Sequence, residues 1–293
     1  MKKIALFIKS MRFHQVVVKN SFIFAPVIFS FHFFQKDYLG NSILAFLLFS
    51  LITGCIYIFN DCFDKKKDRL HPKKKKRPIA SGKLGIPAAA VAASILTAAV
   101  LFFIFKFNRD FFIITIVYIT LNILYSSYLK KIVILDVMVI AVGFVFRVKI
   151  GGAVTYIVIS PWLLIITFLI AIFLGLIKRR QELLKVGSDN DKIKTRIALN
   201  QYNLPFLDQL ISISTSTTLI SYIIYVLNPD IQAKFHTKEL YLTVPFVAFG
   251  IFRYLYLTYT RDKGESPAEI IFSDIPFTAN LILWLIVFLF LIN

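Results

Sequence analysis

Nine stretches of predominantly apolar residues run along the chain, at about 20–35, 42–59, 87–106, 110–127, 132–154, 160–177, 209–227, 240–259 and 271–292. An apolar run of roughly 18–20 residues is what a helix needs to cross a bilayer. The pattern therefore predicts an all-α, polytopic membrane protein with nine transmembrane helices. The first run is the most broken, interrupted by Lys19, Asn20 and Pro26. Polar connections are short except near 60–86 and 178–208, which follow the second and sixth helices. That spacing of four helices hints at two related halves, each offering a polar loop to one central cavity. The helices leave no room for a second soluble domain, so 1–293 reads as a single integral membrane domain.

Composition agrees with the pattern. The chain has 293 residues, 58% of them hydrophobic, with a mean hydropathy of +0.74; a soluble domain is nearer half apolar. The formal charge of +18 would suit nucleic acid, but its distribution argues for a membrane instead. With the N-terminus in the cytoplasm, the segments 1–19, 60–86, 128–131, 178–208 and 261–270 hold 26 of the 34 Lys and Arg residues. The opposite segments hold only Lys36, Lys106, Arg109, Lys234 and Lys238. This asymmetry implies a multi-pass protein of the cell inner (plasma) membrane, N-terminus cytoplasmic and C-terminus outside. The basic start is followed by no short apolar core with a small-residue cleavage site, so no cleavable signal peptide is expected. Cys55 and Cys62 form neither a disulfide framework nor a zinc pattern. No phosphate-binding glycine loop, dinucleotide fingerprint or serine nucleophile motif occurs. Residues 187–191 read as a turn, and Asp189 and Asp191 there carry no assigned chemistry.

The chemistry concentrates in residues 60–82, N-D-C-F-D-K-K-K-D-R-L-H-P-K-K-K-K-R-P-I-A-S-G. Asp61, Asp64 and Asp68 are spaced three and four apart, which places them on one helical face. Carboxylates so crowded repel unless a cation lies between them, and hard divalent ions such as Mg²⁺ take oxygen ligands together with substrate phosphates. Ten basic residues between Lys65 and Lys83 suit those phosphates. Lys73 and Arg77 are the candidates for ordered phosphate contacts, whereas Lys65, Lys66 and Lys67 suit water or anionic lipid. The plainer alternative is a solvated helix end whose acids pair with nearby lysines. The first alternative gives Mg²⁺-assisted handling of a diphosphate at a membrane surface, with Asp61, Asp64 and Asp68 as metal ligands and catalytic groups.

The series N-D-x-x-D-x-x-x-D followed by P-x-K-x-x-R-P resembles the first acidic motif of the UbiA-type membrane prenyltransferase superfamily. Within it, D-R-L-H-P-x-K-x-x-R-P-I-A-S-G (residues 68–82) is similar to the decaprenyl-phosphate phosphoribosyltransferase branch. So are Y-S-x-x-L-K (125–130), Asp136, G-F-x-x-R-x-x-x-G-G (143–152), K-R-x-x-E-L (178–183), Arg253 with Tyr254, P-x-E-I (267–270) and Asp274. The resemblance spans about residues 55–275. It implies nine helices around a cavity, with Mg²⁺ and a diphosphate at its cytoplasmic mouth. It also implies substrate contacts from Asn60, Lys73, Arg77, Tyr125, Lys130, Asp136, Arg147, Lys178, Arg179, Glu182 and Arg253. Aromatic-acceptor members carry a second aspartate-rich motif after the sixth helix; here that place reads L-I-K-R-R-Q-E-L-L-K. Cations replacing acids suit two phosphorylated substrates, although Lys178, Arg179 and Arg180 also serve as ordinary cytoplasmic flanks. Arg147 and Arg253 lie within apolar runs, where an arginine must pair, face a polar cavity or snorkel to the interface.

The function that follows from the resemblance is transfer of a 5-phosphoribosyl group from phosphoribosyl diphosphate (PRPP) to a polyprenyl phosphate of decaprenyl type, for cell-envelope glycan precursors. Two alternatives stay open at this level. One is prenyl transfer to an aromatic acceptor; the other is transport of anionic substrates.

Overall fold

A computed structural model describes residues 2–30, 35–70, 74–188, 197–260 and 273–292. Every regular element among them is helical. Among the described residues, eight helices are long and apolar enough to cross a membrane: Lys36–Leu70, Ile86–Phe107, Arg109–Ser127, Leu135–Thr155, Pro161–Leu184, Leu204–Leu227, Glu239–Thr260 and Ile275–Ile292. These correspond to eight of the nine expected spans. The remaining one, 20–35, has residues 31–34 outside the described set, and over 20–30 it is a 3-10 turn and a short helix. The α-helices are α1 (Lys2–Ser10), α2 (Phe13–Asn20), α3 (Ala25–Ile28), α4 (Lys36–Leu70), α5 (Ile86–Phe107), α6 (Arg109–Ser127), α7 (Leu135–Thr155), α8 (Pro161–Ser188), α9 (Leu204–Leu227), α10 (Pro229–Lys234), α11 (Val244–Thr260) and α12 (Ile275–Ile292). The chain divides into two compact units, one formed by described residues up to Ile159 and the other by those from Ser160 onward.

In the first unit, α4 is the organising element. Its 35 residues extend about 52 Å at 1.5 Å per residue, against a hydrocarbon thickness of about 30 Å. The apolar run ends near Phe59, yet the helix continues through Asn60 to Leu70. The acidic series is thus a helical extension of a membrane span, and the three-then-four spacing does give one face. Beyond it, a 3-10 turn at Lys74–Lys76 leads into a tight loop. That loop is fastened by Ser81 N–H to the Arg77 carbonyl at 2.8 Å, Leu84 N–H to the Pro78 carbonyl at 3.0 Å, and Arg69 Nε to the Ala80 carbonyl at 3.0 Å. Gly82 sits at φ +80°, where a side chain would be strained. Pro87 enters α5 in its first turn, where its missing N–H costs nothing.

The break in the first span has a cause in tertiary contacts. Asn20 is fully buried, and a buried amide must find partners. Its Nδ2 donates to Ser50 Oγ at 3.0 Å and Thr53 Oγ1 at 3.4 Å. The chain tightens there into a 3-10 turn, Ser21–Phe24, before Pro26 lies in the first turn of α3. This turn packs against α7 so closely that a Cβ on Gly151 would strike the Ile23 carbonyl, with Pro26 Cδ 3.0 Å away. Gly151→Ala should therefore destabilise the unit by about 1–3 kcal/mol through overpacking of backbone. Gly40→Ala, with nothing within 4 Å of the added carbon, should not. Thermal melting of the two variants in detergent checks this.

In the second unit, α8 and α9 pack on each other, as do α11 and α12. Asn203 caps α9 by accepting from Phe206 N–H at 2.8 Å. Asn280 of α12 donates to the Phe246 carbonyl of α11 at 2.9 Å. Tyr222, Thr243 and Trp284 share hydrogen bonds of 2.7 and 3.2 Å through the tyrosine hydroxyl. Asn280 and the Tyr222 hydroxyl thereby close contacts between apolar helices.

Candidate active site

The three acids at the end of α4 lie in the first unit, and each has a cation. Arg77 Nη1 donates to Asp68 Oδ2 at 2.5 Å and to Asp61 Oδ1 at 3.2 Å. Lys130 Nζ donates to both oxygens of Asp64, at 2.8 and 3.0 Å. Arg12 Nη2 pairs with Asp61 Oδ1. Asp61 and Asp68 are enclosed, with 3% and 7% side-chain exposure, whereas Asp64 between them is 33% exposed. Asn60, beside Asp61, accepts from Ser126 Oγ of α6. A 3-10 turn at Leu129–Lys131, between α6 and α7, presents Lys130. The loop after α4 presents Arg77.

Among the described residues, no three His, Cys, Asp or Glu side chains converge as a ready-made metal cage. The basic side chains lie against the carboxylates instead. The donor set still fits a hard divalent ion. All three groups are carboxylates on one face of one helix, and Asp61 Oδ2 is buried without a hydrogen-bond partner. An unsatisfied buried acceptor costs about 1–3 kcal/mol, and a cation beside that oxygen removes the cost.

Arg12 is the contributor that sequence reasoning missed. It lies 49 residues before Asp61 in a basic N-terminal stretch, where a ligand cation and a positive flank look alike. Its backbone is left-handed, φ 53° and ψ 48°, between α1 and α2. A non-glycine residue there costs about 1–3 kcal/mol, and the Asp61 ion pair with the Tyr57 ring beneath the guanidinium at 5.2 Å helps hold it. Ser126 was also missed as a partner of Asn60, although it lies inside the Y-S-x-x-L-K series.

The other expected residues fall differently. Tyr125 is half-buried near the end of α6. Asp136 is fully buried in the first turn of α7, where the helix dipole favours an acid. Arg147 is buried, 4% exposed. Its Nε donates to Asn20 Oδ1 at 2.8 Å, Nη1 to the Gly143 carbonyl at 2.5 Å and Nη2 to the Tyr118 hydroxyl at 3.0 Å. The rings of Phe49, Tyr118 and Phe144 surround the guanidinium at 5.6, 5.2 and 5.3 Å. Arg147 does not snorkel; neutral protein groups accept from its Nε, Nη1 and Nη2.

In the second unit, Arg253 is held by Asp274, with Nε to Oδ1 at 3.1 Å and Nη2 to Oδ2 at 2.9 Å. Asp274 also accepts from Phe277 N–H at 2.9 Å, so the pair fixes the start of α12. Arg179 is buried and donates to Glu182 at 2.6 Å. Arg180 donates to Asp208 at 2.7 Å, stacks on the Tyr259 ring at 4.0 Å, and shares Asp208 with the Tyr259 hydroxyl. Lys178 is exposed. Of the cations expected to meet phosphate after the sixth helix, Arg179 and Arg180 thus have acid partners. Lys73, Asp189, Asp191 and residues 267–270 lie outside the described residues.

Comparison with known proteins gives a coherent picture. The profile of the UbiA prenyltransferase family matches residues 22–280. The decaprenyl-phosphate phosphoribosyltransferase of Mycolicibacterium smegmatis is 30% identical over 64% of this chain and 58% of its own length. That of Corynebacterium glutamicum is 28% identical over 79% and 69%. An uncharacterized protein of Sinorhizobium fredii, y4nM, is 29% identical over 91% of this chain, the match spanning about half (52%) of that relative. A UbiA homolog from Archaeoglobus fulgidus, solved bound to GPP and Mg²⁺, has the same fold with a TM-score of 0.73 at 17% identity, over 96% of both chains.

Proposed function

This chain belongs to the UbiA prenyltransferase family, and from that membership we propose that it transfers the 5-phosphoribosyl group of PRPP to a polyprenyl phosphate, releasing diphosphate. The observation that carries the reading is a carboxylate series interleaved with Arg12, Arg77 and Lys130 at the end of a membrane helix. Acids suit a divalent ion, and cations suit the phosphates that come with it. The names of the mycobacterial and corynebacterial relatives support the donor and acceptor.

Asp61, Asp64 and Asp68 would hold Mg²⁺. When bound there, Mg²⁺ neutralises charge on a diphosphate leaving group. Arg77 and Lys130, released from their carboxylates, would turn to phosphate oxygens. Lys73 would join them, and Asn60 and Tyr125 would line the same end of the first unit. At the anomeric carbon, the bond to the diphosphate oxygen breaks and diphosphate leaves with the electron pair. A bond from the acceptor phosphate oxygen forms at that carbon. The acceptor is already an anion, so no general base is required, and the side chains contribute positioning and charge stabilisation. The polyprenyl tail would stay in lipid while PRPP arrives from the cytoplasm at the inner membrane.

A second reading is prenyl transfer from a prenyl diphosphate to an aromatic acceptor; the A. fulgidus fold relative was solved with a prenyl diphosphate, GPP, and Mg²⁺. Purified protein in detergent with Mg²⁺ separates the two. The first reading expects diphosphate release from PRPP only when polyprenyl phosphate is present, lost on chelation and restored by Mg²⁺. Turnover of a prenyl diphosphate with an aromatic acid, and none of PRPP, would replace it with the second.

A further inference from the structure

Arg77 and Arg12 reach Asp61 in different ways. Arg77 comes from the loop after α4 and divides Nη1 between Asp61 Oδ1, at 3.2 Å, and Asp68 Oδ2, at 2.5 Å. Arg12 comes from a fixed corner. Its carbonyl opens α2 by accepting from the N–H groups of Gln15 at 2.8 Å and Val16 at 3.2 Å. The residue before it, Met11, is 2% exposed and lies against Gly54 of α4. A Cβ on Gly54 would come 2.6 Å from Met11 Cε and 2.9 Å from Met11 Cβ, so this close seat requires glycine. Phe7 and Phe13, on either side, pack with Met11 into one apolar cluster with Cys55, Ile58 and Ile79. The ring of Tyr57 lies 5.2 Å from the guanidinium. The left-handed backbone of Arg12 is thus held by the chain on both sides of it and by α4.

Both guanidinium groups lie on one oxygen of Asp61. Arg12 Nη2 and Arg77 Nη1 contact Oδ1, while Oδ2 is buried without a hydrogen-bond partner. Once Arg77 turns to a phosphate, Arg12 still holds Oδ1. A carboxylate held in this way offers a metal ion one oxygen. Mg²⁺ is small and demands near-ideal octahedral geometry at about 2.0–2.1 Å, which single oxygens satisfy. Ca²⁺ is larger and accepts both oxygens of one carboxylate, at about 2.3–2.6 Å.

We infer that Arg12 is a positioning residue that selects the ion: by keeping Asp61 Oδ1 it leaves Oδ2 alone to ligate, and the site favours Mg²⁺ over Ca²⁺. This rests on the reading that Asp61, Asp64 and Asp68 hold the divalent ion, and not on which donor or acceptor the enzyme takes. Arg12 acts through Asp61.

The test is displacement of bound Mn²⁺, read by EPR, from the purified full chain in detergent with inorganic diphosphate present. In wild type, Mg²⁺ should displace Mn²⁺ at lower concentration than Ca²⁺ does. In Arg12→Gln, the ratio of the Ca²⁺ to the Mg²⁺ displacing concentration should fall by roughly tenfold or more, the scale on which partners that orient a metal ligand act. Losing one positive charge acts on both divalent ions alike, so the ratio reads how Asp61 is held. A purely structural role for Arg12 would lower the melting temperature and leave the ratio in place. Arg12→Lys keeps a charged donor and should keep most of the selectivity. Gly54→Ala leaves Arg12 present but pushes Met11 from α4; it should lower the ratio too, and it carries the test if Arg12→Gln does not melt cooperatively. An unchanged ratio in the folded variants, or a wild type that takes Ca²⁺ as readily as Mg²⁺, overturns the inference and leaves the metal site standing. Mn²⁺ binding indifferent to Asp61→Asn would remove that site, and the inference with it.

Discussion

Asp61→Asn should leave a folded protein whose kcat/KM falls by about 100- to 1000-fold or more, the scale seen when one preorganised electrostatic group is removed from a reacting centre. The enclosed carboxylate is the strongest candidate ligand in the series, because Asp61 Oδ2 is buried with no partner. Asparagine keeps the shape and one acceptor but loses the charge. Asp61→Ala should also cost stability, because Arg12 and Arg77 both lose an acid. That cost should be about 1–3 kcal/mol, below the figure for a fully enclosed pair, since Arg12 and Arg77 keep 18% and 27% of their side-chain exposure. Melting curves and initial rates on both variants separate the effects. A fully active Asp61→Asn enzyme would show that this carboxylate only anchors Arg12.

The opposite balance is expected at Arg147. Arg147→Met should lower stability by roughly 3 kcal/mol, because it leaves the buried Asn20 Oδ1 and Tyr118 hydroxyl without their donor. It also removes the cation from among three aromatic rings. The protein that remains folded should keep KM for its phosphorylated substrates near the wild-type value. An unchanged melting temperature with a tenfold rise in KM would return Arg147 to the set of ligands.

These two residues mark how far the sequence reaches. The apolar runs located eight membrane helices because length and hydropathy are local properties. The acid spacing placed Asp61, Asp64 and Asp68 on one face of α4 because helical geometry is local as well. The first span was harder: Asn20 and Pro26 flagged an interruption, but its form depends on Ser50, Thr53 and Gly151, far away in sequence. Arg12 was hidden for the same reason, its role fixed by a partner 49 residues on. Arg147 was visible as an intramembrane charge, yet a one-dimensional pattern does not reveal whether such a charge faces a ligand or a protein amide and hydroxyl. Arg253 repeats the lesson, since its partner Asp274 is legible only as one more matching residue. The K-R-R after the sixth predicted span read as cations for phosphate or as cytoplasmic flanks, and the acid partners Glu182 and Asp208 of Arg179 and Arg180 were not legible.

The most direct measurement is the anomalous signal of Mn²⁺, used in place of Mg²⁺, in crystals of the protein with PRPP. The peak should lie about 2 Å from carboxylate oxygens of the Asp61, Asp64 and Asp68 series, with Arg77 and Lys130 turned from those acids to the diphosphate. A peak remote from all three carboxylates, with the ion pairs of Asp61, Asp64 and Asp68 intact beside bound PRPP, would contradict the assignment of this acidic helix end as the catalytic centre.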